Sequence, residues 1–171
     1  TKLITMKKYL IVALLFLMTI STFSQQEEKT TYYLIRHAEK DRSDKTDKNP
    51  ELTKKGKDRA KKWSKIFDEL KIDAIYSTDY NRTLQTAAPT AKSKKMSVQK
   101  YHPTNIDMKA FIKKTKGKSV LIVGHSNTIP SFTNKLIGNG KYLNIDDTDN
   151  DNLYLVTIEG DLIEHVVIDV E

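Results

Sequence analysis

The sequence predicts an α/β fold, a three-layer α/β/α sandwich around a mainly parallel central sheet. Short apolar segments alternate with amphipathic ones along the chain, the pattern of strands covered by helices. The clearest strand, Val120-Leu121-Ile122-Val123-Gly124, is apolar without alternation, as in a strand buried on both faces. The 171 residues contain no cysteine, so one ordinary apolar core rather than a disulfide framework must hold the domain.

The elements follow in order. Tyr32 to Ile35 is aromatic and apolar and predicts a first buried strand. Asp41 to Pro50 is charged and aperiodic, hence a loop. Leu52, Ala60, Trp63, Ile66, Phe67 and Leu70 fall near helical spacing and predict a long helix from about Thr53, with Trp63 in the core. Ala74 to Ser77 is a second strand. A helix from about Asn81 to Lys95 contains Pro89, which demands a kink or a break. Ser97 to Lys100 is a short strand, and Asp107 to Lys116 a helix with Met108, Phe111 and Ile112 inward. After the Val120 strand, Ser126 to Ile137 reads as a helix ending at Gly138. Asn152 to Glu159 and Leu162 to Ile168 pair through Gly160-Asp161, a hairpin signal.

The first 24 residues stand apart. Met6-Lys7-Lys8 is a positive segment, Tyr9 to Ile20 is apolar apart from Thr19, and Thr22 and Ser24 supply the small residues before a cleavage point. This predicts a leader with preceding residues over 1–24 and a domain over 25–171, exported to the periplasm or beyond. The apolar run is about half of the roughly 20 residues that span a bilayer, so no stable membrane insertion is expected once the leader is removed. Removing Lys2, Lys7 and Lys8 lowers the formal charge from +7 to +4. Such a charge suits small phosphorylated substrates and is too weak to imply nucleic acid.

Three segments carry chemistry. Arg36-His37 follows the first strand, Arg82 lies just after the second, and Gly124-His125-Ser126 ends the best strand. In open α/β sheets, ligands bind outside the carboxyl ends of the strands. Two histidines and two arginines converge there on a site for a dianion. Guanidinium forks match phosphate oxygens, and helix N-termini after Thr78 and His125 add backbone donors. An imidazole among cations is biased toward its neutral form, with one ring nitrogen free to attack phosphorus. Read alone, Arg36-His37 would be an ion-pair partner and a core imidazole; the convergence of the segments tips the reading.

These segments resemble the histidine phosphatase superfamily, also called phosphoglycerate mutase-like. Tyr33-Leu34-Ile35-Arg36-His37-Ala38-Glu39-Lys40 is similar to its Arg-His-Gly signature, with Ala38 in place of glycine. Leu52-Thr53-Lys54-Lys55-Gly56, Ser77 to Ala87, and Val123-Gly124-His125-Ser126 resemble its later motifs, in the same order. The resemblance implies a phosphatase with His37 as nucleophile, and Arg36, Arg82 and His125 binding the phosphoryl group. No His, Cys or carboxylate cluster has metal-ligand spacing, so no metal and no cofactor are expected. A phosphomutase, or a non-catalytic phosphate-binding module on the same fold, are the alternatives. The proton donor is left open. Between Thr83 and Gly124 the only acid is Asp107, which also reads as a helix N-cap, and Glu39 is the next carboxylate near His37. An imidazolium at His102 would also serve as donor, although His102 and His165, without motifs around them, are otherwise expected at the surface or in packing. Asp147, Asp149 and Asp151 imitate the start of a calcium loop, but Asn152 and Ile158 replace its glycine and glutamate, so a solvated acidic turn is the expectation.

Overall fold

A computed structural model of the chain describes residues 28–170; the leader expected over 1–24 lies outside the described residues. The elements are β1 (Thr30–Arg36), α1 (Lys54–Asp68), β2 (Ala74–Ser77), α2 (Asn81–Ser93), β3 (Val98–Lys100), α3 (Met108–Thr115), β4 (Ser119–Gly124), α4 (Thr128–Ile137), β5 (Asn152–Glu159) and β6 (Leu162–Asp169). Among the described residues, no helix is long and apolar enough to cross a membrane.

The six strands form one sheet in the order β3-β2-β4-β1-β5-β6. The first four are mutually parallel, and the β5–β6 hairpin adds to β1 in the antiparallel sense. The unalternating apolar runs find their reason here. Val120 and Ile122 pack on one face with Tyr32 and Leu34 of β1 and with Phe111, Ile129 and Phe132 from α3 and α4. Leu121 and Val123 pack on the other with Ile35 of β1 and with Trp63, Phe67 and Ala87 from α1 and α2. The fold is the three-layer sandwich that the alternation predicted.

Local signals set the helix ends. Thr53 caps α1, its Oγ1 accepting from the Gly56 N–H at 3.0 Å. Gly138 closes α4 in the left-handed region, at φ 72°. Two expectations are corrected. α2 runs through Pro89 without a break, because Thr83, Thr86, Ala87, Thr90 and Ala91 are all buried and tertiary packing holds a helix that propensity disfavours. α4 begins at Thr128 rather than Ser126, because the His125 N–H donates to Thr128 Oγ1 (2.8 Å) and His125 to Asn127 form the turn before the helix.

Candidate functional site

Register brings the three segments together. Arg36 lies opposite Gly124 in the β1–β4 pair, and Ser77 opposite Val123 in the β2–β4 pair. The His37 N–H donates to the Gly124 carbonyl at 2.9 Å. His37, Thr78 and His125 therefore leave the sheet side by side, and the two imidazoles stand edge to face with ring centroids 5.4 Å apart.

They line a cavity of about 780 Å³ with Arg36, Lys40, Asp79, Tyr80, Arg82, Tyr101, His102, Ser126, Asn127 and Asp147. The N-termini of α2 and α4 open on it; their cap residues Tyr80 and Asn127 make no side-chain bond to the first turn, although Asn49 Oδ1 accepts from the Asn81 N–H at 2.8 Å. A more open groove of about 830 Å³ along α4 holds Lys135 as its one charged residue and no imidazole.

His37 is buried, and its Nδ1 lies 2.7 Å from the Ala38 carbonyl. A carbonyl only accepts, so Nδ1 carries the proton. Burial, with Arg36, His125 and Arg82 nearby, pulls this imidazole down to about 3 against the Ala38 bond. At neutral pH His37 is thus uncharged, with the Nε2 lone pair free. His125 is held at about 4 by burial, Arg82, Lys40 and Arg36. Its Nε2 meets Thr78 Oγ1 at 3.0 Å. Thr78 Oγ1 already donates to Thr83 Oγ1, which in turn donates to the Thr78 carbonyl. Toward His125, Thr78 therefore accepts, and His125 is the Nε2–H tautomer.

The arginines differ. Arg82 stacks its guanidinium over the Tyr80 ring at 4.5 Å, while its buried Nε and Nη1 have no partner. Buried donors are nearly always satisfied, so this pair points to a missing acceptor. Arg36, by contrast, is largely engaged. Its Nη1 donates to the carbonyls of Asp146 and Asp149, and its Nη2 to Asp147 Oδ1, all at 2.7 Å. Its buried Nε and one Nη2 hydrogen remain.

The motif residues around the histidines hold the loop that carries His37. Thr86 Oγ1 accepts from the Ala38 N–H (2.9 Å) and Gln85 Oε1 from the Leu52 N–H (2.8 Å). These neighbours on α2 explain why a Gln-Thr pair follows Arg82 at that spacing. Gly56 lies so close to the same loop that an added Cβ would stand 2.2 Å from the Glu39 carbonyl oxygen. Asn150 Nδ2 donates to the His37 carbonyl at 2.8 Å. No local signal in the sequence marked Asn150, or the bond between Thr78 and His125.

Neither candidate carboxyl donor is free in the cavity. Asp107 caps α3, accepting from the Ala110 N–H at 3.1 Å, and does not line the cavity. Glu39 is gripped by Arg59 Nε and Nη2 and by Lys55. Burial raises its carboxyl, but the Arg59 and Lys55 bonds outweigh that and hold it at about 2. His102 is exposed, as expected, and also lines the cavity, with its Nδ1 against Thr104 Oγ1. His165 sits on β6, bonded to the Tyr142 hydroxyl. The acidic turn is not merely solvated, since it supplies the acceptors of Arg36. Among the described residues, no three of His, Asp or Glu are grouped to hold a metal ion.

The model of the histidine phosphatase superfamily (branch 1) matches residues 32–102. No curated protein matches the chain. Solved structures match the fold over most of it. One assigned as the phosphohistidine phosphatase SixA from Agrobacterium tumefaciens is 18% identical, with TM-score 0.60, covering 81% of this chain and 97% of its own. A mycobacterial glucosyl-3-phosphoglycerate phosphatase is 11% identical, with TM-score 0.64, covering 83% and 98%. A phosphoglycerate mutase from Bacillus anthracis is 15% identical, with TM-score 0.63, covering 85% and 94%.

Proposed function

We propose that this chain, which resembles the histidine phosphatase superfamily model over residues 32–102, is a phosphatase that works through a phosphohistidine on His37. One observation carries the reading. A buried, neutral imidazole with a free Nε2 stands in the same cavity as buried Arg82 donors that lack an acceptor.

In the first step Nε2 attacks phosphorus, the P–O bond to the leaving group breaks, and the electron pair departs on that oxygen. Arg82, the remaining donors of Arg36 and the open N-termini of α2 and α4 hold the phosphoryl oxygens. A dianion beside His125 favours its protonated form, which adds a donor where charge develops. Water then attacks the phosphoryl group, the P–N bond breaks, the pair returns to Nε2, and the water proton passes to solvent.

The leaving group sets the substrate preference. Asp107 caps a helix, Glu39 is held ionised by Arg59, and the two carboxylates that line the cavity are paired, Asp147 with Arg36 and Arg42 and Asp79 with Lys100, so among the described residues no unpaired carboxyl group stands ready to protonate an alkoxide. Substrates whose leaving group departs as a stable anion are favoured. The proposal includes export of the activity, on the leader pattern read in residues 1–24, and N-terminal sequencing of exported protein tests it. The activity itself is tested with p-nitrophenyl phosphate: the wild type turns it over and His37→Ala does not. A wild type without turnover, or a His37→Ala variant with full turnover, refutes the reading.

A further inference from the structure

We propose that the Lys40–Arg42 side of the cavity is a second anion subsite, and that the phosphoryl group His37 takes is the terminal group of a diphosphate. The inference rests on the phosphatase reading above and narrows it.

Lys40 is the first observation. Its side chain is half-buried, lines the main cavity, and also lines a side chamber of about 260 Å³ with His37, Glu39, Arg42, Asp147 and Asn150. It makes no ion pair and no side-chain hydrogen bond among the described residues. Burial and the nearby Arg42, Arg82 and Arg36 push its ammonium below the usual lysine range, with Asp147 opposing. A half-buried cation facing three guanidiniums is unfavourable unless something anionic comes to it.

Asp147 is the second. It lies on an exposed turn, yet its carboxylate bridges Arg36 Nη2 and Arg42 Nη1, each at 2.7 Å. The chain's own anion thus marks the space between two guanidiniums as one that accepts a carboxylate or phosphate. Charge makes the same point. Arg36, Lys40, Arg42 and Arg82 surround the site with Asp147 among them, while Glu39, the other carboxylate of the side chamber, is already taken up by Arg59 and Lys55. The other acid of the cavity, Asp79, is paired with Lys100 at 2.8 Å. A single phosphoryl dianion leaves a cation over, and a second anionic group takes it up.

The chemistry fits the missing carboxyl donor. In a diphosphate, Nε2 bonds to the terminal phosphorus, the bridging P–O bond breaks, and the electron pair leaves on the oxygen of the departing phosphate. That group is stable as an anion and needs no proton at the moment it leaves. Lys40 and Arg42 neutralise it as it forms, and water releases the phosphoryl group as before.

The test compares inorganic pyrophosphate, a nucleoside diphosphate and p-nitrophenyl phosphate on wild type, Lys40→Gln and Lys40→Arg. The expected result is a tenfold or greater extra loss of kcat/KM for the diphosphates in Lys40→Gln, mostly in KM, with recovery in Lys40→Arg. Preference between the two diphosphates tells an inorganic from an organic source. Equal losses on all three substrates, or turnover of p-nitrophenyl phosphate but of neither diphosphate, overturns the subsite. If the wild type hydrolyses none of them, the phosphatase reading has failed and calorimetry still decides the subsite. Pyrophosphate must then bind at least tenfold tighter than phosphate to wild type and lose that margin in Lys40→Gln; an unchanged margin refutes it.

Discussion

Lowering the pH should unfold this protein partly through His37, by an amount the structure sets. Burial and neighbouring cations hold the native imidazole at about 3, against 6.5 for the free side chain. As pH falls through 6.5 the unfolded chain takes a proton at this position and the native chain does not. The stability from keeping His37 neutral is therefore complete above 6.5 and is lost progressively between 6.5 and about 3. At about pH 5 the loss from this one group is roughly 2 kcal/mol relative to about pH 8. Urea unfolding of wild type and His37→Gln at these two values isolates the term, because the other titrating groups are shared. The wild type should lose about 2 kcal/mol more than His37→Gln on acidification. Equal losses in the two proteins would mean that His37 is not a buried neutral base.

Four further outcomes follow. His125→Ala and Arg82→Ala should each cost about two or more powers of ten in turnover, measured by steady-state kinetics, as for removal of preorganised donors. Turnover should survive EDTA; a collapse restored by zinc or magnesium would point to another mechanism. Asp107→Asn, Glu39→Gln and His102→Gln should leave the ratio of aryl to alkyl phosphate hydrolysis within about twofold of wild type, whereas a variant that slows only the alkyl ester by about two powers of ten would be the proton donor. Gly56→Ala should destabilise by about 2 kcal/mol in denaturant melts, since its Cβ meets the Glu39 carbonyl and backbone has nowhere cheap to move.

What the sequence revealed was local. Val120 to Gly124 showed itself as a two-sided strand because both faces of β4 are covered, by α3 and α4 on one side and by α1 and α2 on the other. Arg36-His37 and Gly124-His125 could be placed at one edge because parallel strands end there together. What stayed hidden was long-range. The bonds from Arg36 to the turn at Asp146 to Asp149 span 110 residues or more, and nothing in an Asp-rich stretch announces that its carbonyls will face an arginine. The same holds for Asn150 beneath His37, and for His102, which a short β3 and the turn after it carry into the cavity. Pro89 misled for the opposite reason: a strong local signal gave way to burial on both sides of it.

Trapping the phosphorylated enzyme tests the central claim most directly. Rapid quench after mixing with a phosphoryl-labelled substrate, followed by proteolysis in base and mass mapping, locates the label. The account predicts one base-stable, acid-labile phosphoryl group on the peptide that contains His37, and none in His37→Ala. Label on a different residue, or full turnover with no label on His37, would contradict it.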